Sequence, residues 1–163
     1  MDARVDKTLK ISTPSDLEIA MTRMFDAPRH LVFDAMTKPE HVRRWLGCGD
    51  LPMTDCEIDL RVGGAYRFTL RSPEGRETTL QGVYREIVRP ERLVFVERIL
   101  MPEFTTDEYQ VTSSFAEIGG GTRLTTTILH KTKENRDGHL NSGIERGVTP
   151  AYDRLAEVVA AMA

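Results

Sequence analysis

One acidic side chain, Glu97, falls where the sequence predicts an apolar surface. Leu93, Phe95 and Ile99 occupy the alternate positions around it, and alternate residues of a strand point to the same face of a sheet. Burial disfavours a charged carboxylate, so the group needs hydrogen-bond partners or a raised pKa. Glu97 is therefore a candidate for ligand contact or acid/base chemistry. The more common alternative is a satisfied or rim-exposed carboxylate, since structural networks also perturb pKa values.

Other polar groups add little evidence for catalysis. Hydroxyls such as Tyr84 and Thr126 would help Glu97 to orient a substrate and move protons if the protein were an enzyme. The sequence shows no set of nucleophile, base and orienting group, so we assign no catalytic residue. The histidines are widely spaced, without an HxxxH or carboxylate pairing that indicates a metal site: His30, His41, His130 and His139. We therefore predict neither a metal nor a cofactor.

The composition is typical of one globular domain. The chain has 163 residues, of which 40% are hydrophobic and 29% are charged, and single domains commonly hold about 100 to 200 residues. With a net charge of -3, there is no basic excess to bind nucleic acid or an anionic membrane. No stretch approaches the roughly 20 apolar residues of a spanning helix. We expect a cytoplasmic protein without nucleic-acid or membrane partners.

The N-terminal part divides into a flexible arm and the start of a fold. Residues 1–15 mix charged residues with serine, threonine and proline, which predicts a loose arm with a short strand near residues 8–12. The domain is expected to span residues 16–163. Residues 17–25 carry large apolar side chains at alternate positions and predict the first strand.

Two short helices are predicted after this strand. Asp26 precedes Pro28, which suits the first turn of a helix because proline lacks an N–H group. Thr37 and Glu40 have the spacing of a capping box, with the hydroxyl three residues before the carboxylate. The second helix is expected to end near Leu46.

The middle of the chain has the two-residue period of an antiparallel meander. Apolar and polar residues alternate through it, and glycine- or proline-containing turns interrupt the pattern. Together with the first strand, this predicts about seven strands. The six strands of the meander are expected at residues 53–62, 65–72, 77–88, 92–100, 107–118 and 122–130.

After Lys133 the period becomes helical. Apolar residues recur every three or four positions, which predicts one long amphipathic helix, at Leu140, Ile144, Val148, Ala151, Leu155, Val158 and Met162. Gly143 and Gly147 weaken this helix, and Pro150 removes one hydrogen-bond donor. We expect a bend near residues 147–150.

These elements bury their apolar faces most simply if the sheet curls around the last helix. The predicted class is α+β, a curved antiparallel sheet gripping a long C-terminal helix. A cleft is expected where the two surfaces diverge, with Glu97 on its inner side and Trp45 at its mouth. Its predicted strand walls are Tyr66, Phe68, Tyr84, Phe95, Phe115, Leu124 and Ile128, and its predicted helix wall is Leu140, Ile144, Val148 and Tyr152.

The order of several motifs resembles a known family. The first group of motifs is FDAP at residues 25–28, LVFDA at 31–35, TKPEH at 37–41 and Arg44-Trp45. The second group is GVYREIV at 82–88, which leads to PERLVF at 90–95. The third is GTRLT at 121–125, followed by YDRL at 152–155. With Gly63-Gly64, Tyr66 and Phe68, this pattern is similar to the bacterial Activator of heat-shock protein 90 ATPase-like family. The resemblance covers about residues 17–160.

The resemblance implies a helix-grip (Bet v 1-like) fold, shared with START domains and polyketide cyclases and built around a ligand cavity. It implies fold more strongly than activity. Two departures are Leu46, where the family often has a second tryptophan, and the interruption of the final helix by Gly143, Gly147 and Pro150. The mouth and the gripping helix are therefore where the ligand is expected to differ from those of the family.

Three functions remain open at this point. The leading hypothesis is binding of a small hydrophobic molecule in the cavity. The alternatives are a cyclase- or hydrolase-like enzyme that uses the same cavity, and the stimulation of a chaperone ATPase that the family name suggests. Eukaryotic activators carry an additional domain that residues 1–15 are too short to supply, so we rank this last. A homodimer is a further expectation, although no apolar stripe marks an interface.

Overall fold

A computed structural model describes residues 8–47 and 52–163 of the chain. Its elements in chain order are β1 (Lys10–Ser12), β2 (Glu18–Phe25), α1 (Arg29–Thr37), α2 (Pro39–Trp45), β3 (Met53–Ile58), β4 (Ala65–Arg71), β5 (Glu77–Val88), β6 (Arg92–Met101), β7 (Phe104–Thr105), β8 (Tyr109–Ile118), β9 (Gly121–Leu129), α3 (Lys133–Asn141) and α4 (Ile144–Met162). No helix in the described ranges is long and apolar enough to span a membrane.

The strands form one antiparallel sheet in the order β1-β2-β9-β8-β6-β5-β4-β3, with β7 paired to the end of β6. The predicted α+β helix-grip fold is confirmed. The nine strands in the described ranges exceed the predicted seven because β1 and β7 are two short additions. The β1 strand lies within the stretch predicted as an arm; the division at residue 15 stays a prediction.

The first two helices lie where the sequence predicts them, but the predicted capping box is wrong. Helix α2 begins at Pro39 with Lys38 as its N-cap, and no side chain caps it. The Thr37 hydroxyl instead donates to the Phe33 carbonyl at 2.8 Å, because Thr37 still belongs to α1. A threonine at a helix end can bond backward to its own helix rather than forward to the next one.

The predicted single C-terminal helix is two helices, α3 and α4. The break lies at Ser142 and Gly143, where Gly143 has a φ of 92°. This left-handed conformation suits glycine, which has no Cβ to clash. Pro150 lies inside α4, so the helix is interrupted several residues before the predicted bend. Because the apolar spacing of Leu140, Ile144 and Val148 continues through the break, the periodicity predicts a continuous helix there.

The core consists of two clusters. The larger packs α1, α2 and α4 against the sheet and contains the fully buried Phe33, Leu124 and Leu155. The smaller lies near the β2 end of the sheet and contains Ile19 and Tyr109, with partly buried side chains of α3 and α4 against it. Between these packed regions the sheet and α4 do not meet completely, and a cavity remains.

Candidate ligand cavity

A cavity of about 570 Å³ lies between the concave face of the sheet and the helices. Its sheet wall comes from β4, β5, β6, β8 and β9, and all four helices contribute to the opposite wall. Most lining groups are aliphatic or aromatic. Nine predicted residues line it: Trp45, Tyr66, Phe68, Tyr84, Phe95, Glu97, Ile144, Val148 and Tyr152.

Four predicted wall residues lie elsewhere. Phe115 packs edge-on against Phe33 with ring centroids 5.4 Å apart. Leu124 is its cross-strand partner and is fully buried in the same cluster. Their side chains point inward as predicted, but at a place where α1 closes the gap. Ile128 and Leu140 belong to the smaller core cluster, because α3 packs directly on the sheet there.

Trp45 forms a fixed part of the cavity wall. Its side chain is buried, and its indole Nε1 donates to the Ala35 carbonyl at 2.8 Å. Its ring also packs edge-on against Tyr152, with centroids 6.2 Å apart. These contacts hold α2 against α1 and α4. Trp45 therefore closes one end of the cavity by rigid packing.

A row of four residues in register crosses the sheet. Tyr66 on β4 pairs with Gly82 on β5, Gly82 with Glu97 on β6, and Glu97 with Tyr109 on β8. We call Tyr66, Gly82, Glu97 and Tyr109 the polar row. A Cβ at Gly82 would lie 2.7 Å from the Tyr66 hydroxyl, closer than nonbonded atoms approach. The missing side chain therefore lets Tyr66 lie across β5 toward Glu97.

Both carboxylate oxygens of Glu97 accept a hydrogen bond from a tyrosine. Tyr66 donates to Oε1 and Tyr109 to Oε2, each at 2.5 Å. Burial raises the pKa of Glu97 above its usual range, while the two hydrogen bonds oppose this rise. No cationic side chain in the described parts of the chain forms an ion pair with it. A buried carboxyl group whose hydrogen-bond partners are two phenols thus faces a mainly apolar cavity.

The phenols of the polar row are protonated at neutral pH. Burial and then the nearby Glu97 carboxyl raise the pKa of Tyr66 and of Tyr109 above that of free tyrosine. Burial likewise raises the pKa of Tyr84, whose ring packs 5.4 Å from that of Tyr66. These hydroxyls can donate hydrogen bonds to Glu97 or to a ligand, but they do not act as bases at neutral pH.

A histidine pair extends the polar row toward α3. Nε2 of His130 and Nδ1 of His139 are 2.9 Å apart, and both rings contact the Tyr109 ring, with centroids 5.0 and 5.2 Å away. Burial, followed by the neighbouring His130, lowers the pKa of His139 to about 4. Burial and then the charge of Arg136 lower the pKa of His130. At neutral pH one neutral imidazole donates to the other.

Several groups of this site carry no signal in the sequence. Tyr109 lies at the start of its strand, and the histidines come from different elements, so no spacing connects them. Only the register of the sheet brings Gly82 between Tyr66 and Glu97. Within residues 8–47 and 52–163, no three His, Cys, Asp or Glu side chains come together as metal ligands.

The family follows from a comparison over most of this fold. The family model described as Activator of Hsp90 ATPase homolog 1-like protein matches residues 26–160. The chain belongs to this family. The match includes the four helices except the last residues of α4 and the sheet from β3 to β9, so it covers every residue that lines the cavity. The resemblance stated from the motifs is confirmed.

Solved structures support the same fold. A crystal structure from Rhodobacter sphaeroides is 29% identical with a TM-score of 0.85, covering 94% of this chain and 99% of that chain. One from Nitrosomonas europaea is 24% identical with a TM-score of 0.79, covering 92% and 98%. One from Mycobacterium smegmatis is 21% identical with a TM-score of 0.83, covering 94% and 98%. No protein with a curated description matches the chain.

Proposed function

We propose that the protein binds a small hydrophobic molecule in the cavity between the sheet and α4. The observation that carries the proposal is the cavity itself, of about 570 Å³ with a mainly apolar lining. Pockets for small molecules commonly measure about 300 to 1,000 Å³ and combine apolar walls with a few polar groups. The cavity has both the volume and the mainly apolar lining of such a pocket.

The cavity lining offers a reason for such a molecule to bind. Phe68 and Phe95 present ring surface to the cavity, and burial of apolar ligand surface is favourable by roughly 25 cal/mol per Å². Packing and the strands hold these side chains before a ligand arrives, so little ordering is required on binding. Glu97 and the tyrosines can then fix the orientation of a polar group on the ligand.

Native mass spectrometry of freshly purified protein, together with thermal shifts on addition of apolar ligands, tests the proposal. A bound molecule of consistent mass, or a saturable rise in melting temperature, is expected because a ligand of the folded state stabilises it. Val148→Phe should fill the cavity and weaken both signals. Val88→Phe is the matched control, because Val88 is exposed on β5 and lies outside the cavity lining.

Two results would contradict ligand binding. One is the absence of a co-purifying molecule together with the absence of any saturable thermal shift. The other is equal ligand affinity in the Val148→Phe and Val88→Phe variants, which would place binding outside the cavity.

Glu97 supports a second candidate, proton transfer on a bound substrate. Its raised pKa brings a carboxyl group closer to the range in which it can exchange protons at neutral pH. The test is deuterium exchange at the α-carbon of small apolar ketones, followed by NMR, with the wild type and Glu97→Gln. Catalysed exchange should occur only with the wild type. Equal exchange rates in both proteins would reject this role for Glu97.

A further inference from the structure

Two guanidinium groups border the mainly apolar cavity. Arg146 and Arg154 both lie on α4 and both line the cavity. Neither forms an ion pair with a carboxylate of the described residues. Asp153, the carboxylate next to Arg154 in the chain, is instead 2.9 Å from the guanidinium of Arg23. The cavity rim therefore carries two cationic groups without anionic partners from the described chain.

The surrounding structure positions both arginines. Nε of Arg154 donates to the Trp45 carbonyl at 3.0 Å, which leaves its terminal N–H groups without a protein acceptor in the described ranges. The guanidinium of Arg146 lies against Gly143 at the helix break, where a Cβ would be 2.9 Å from its Nη2. The lack of a side chain at Gly143 thus makes room for this group.

We infer that the ligand is an anionic amphiphile, whose carboxylate contacts Arg154 at the rim and is attracted by the charge of Arg146, while its apolar chain or ring system fills the cavity. This inference rests on the proposed function and adds the ligand's chemical class and orientation. A guanidinium binds a carboxylate through parallel hydrogen bonds. The polar row favours the same orientation, because the hydroxyls of Tyr66 and Tyr109 already donate to Glu97 and are not free to donate to an anionic head.

Ligands matched in length and differing only in the head group test this inference. Isothermal titration at pH 8 and low ionic strength compares decanoate with decanol and decylamine, each below its aggregation concentration. Decanoate is expected to bind about tenfold more tightly than decanol, because a charge-assisted hydrogen bond to arginine is stronger than a neutral one. Added salt should reduce this advantage. The pair 2-naphthoate and 2-naphthol shows whether the apolar part is a chain or a fused ring.

Variants of the two arginines connect the preference to the site. Arg154→Gln should weaken decanoate binding about fivefold, a modest loss because this half-buried group is partly solvated. Arg146→Gln should weaken it only about twofold, because the exposed Arg146 acts on the carboxylate at longer range. Both variants should leave decanol binding unchanged. Arg85→Gln is the control, since Arg85 is exposed on β5 and outside the cavity lining. It should leave both affinities unchanged. Circular dichroism and melting temperatures confirm that each variant is folded.

The outcomes separate this inference from the proposed function. Equal binding of decanoate and decanol, or a variant that weakens both equally, would overturn the anionic ligand and keep the apolar cavity as a binding site. Tighter binding of decylamine would overturn it as well and would assign the polar contact to Glu97. If the wild type binds none of these ligands, the proposed function fails together with the inference.

Discussion

The hydroxyl of Tyr66 reaches Oε1 of Glu97, 2.5 Å away, across the strand that separates them. The contact exists because the residue between the two in register is Gly82. Tyr109 completes the arrangement from the opposite side, at the same distance from Oε2. Two strands thus contribute phenols to a carboxyl group on a third strand, and a fourth strand, β5, contributes only backbone.

Replacement of Gly82 by alanine should disrupt this arrangement and the sheet beside it. The new Cβ would collide with the Val96 carbonyl and lie 2.7 Å from the Tyr66 hydroxyl. Because backbone and a buried ring must both move, we expect a loss of about 2 to 3 kcal/mol in the free energy of unfolding. Urea denaturation measures it.

Gly138→Ala is the matched control for this prediction. Gly138 lies in α3, and a Cβ there would contact nothing within 4 Å. Alanine is a better helix former than glycine, so this variant should be about 0.5 to 1 kcal/mol more stable than the wild type. Equal stability of the Gly82→Ala variant and the wild type would show that the polar row tolerates a side chain between Tyr66 and Glu97.

The sequence predicts which side chains face the concave side of the sheet, but not where along the sheet the cavity ends. Alternation assigns the inward face of each strand, which is why Tyr66, Phe95 and Glu97 were identified. Alternation does not show where a helix touches that face. Phe115 and Leu124 have the predicted orientation, yet α1 fills the space in front of them.

The missed features depend on relations between distant segments. Strand register, which places Gly82 beside Glu97, follows from the pairing of whole strands and not from local composition. The helix break was misplaced for a local reason. Pro150 is the stronger helix breaker, but α4 continues through it from Ile144 to Met162, without the hydrogen bond that an N–H at this position would donate to the Arg146 carbonyl. Gly143, with its left-handed backbone, sets the actual break.

Glu97→Gln should change the pH dependence of stability. The folded pKa of Glu97 is raised, mainly by burial, so the folded state holds this proton more tightly than the unfolded state. The stability associated with the neutral group is present at low pH and is lost as pH rises through the folded pKa. The variant has no such proton to lose. Its melting temperature, relative to the wild type, should therefore increase from pH 5 to pH 9.

Removal of a donating phenol tests the cause of this effect. Tyr109→Phe deletes a hydrogen bond that lowers the pKa of Glu97, so the loss of stability should move to higher pH. A difference between wild type and Glu97→Gln that stays constant over this range would contradict a raised pKa.

The histidine pair should make the protein less stable in mild acid. The pKa of His139 is lowered to about 4, mainly by burial, from the ordinary value of 6.5. Between these values the unfolded state binds more protons than the folded state, so the free energy of unfolding falls as pH falls. The double variant His130→Gln, His139→Gln should show a flatter dependence from pH 7 to pH 4.5 in urea denaturation.

The opposite contribution of Glu97 is present in both proteins and cancels in their difference. His30→Gln serves as the control, because His30 is exposed on α1 and the variant leaves the pair in place. A double variant with the same pH slope as the wild type would show that the pair is not neutral in the folded state.

Truncation of two phenylalanines should distinguish core from cavity. Phe115 is 2% exposed and packed on all sides, so Phe115→Ala should create a void and cost about 3 to 4 kcal/mol in the free energy of unfolding. Phe68 faces the existing cavity, and Phe68→Ala should cost less, about 1 to 2 kcal/mol, because fewer contacts are lost. Ligand affinity should show the reverse order, with a large loss for Phe68→Ala and little change for Phe115→Ala. Equal costs in stability for the two variants would mean that the cavity wall is packed as tightly as the core.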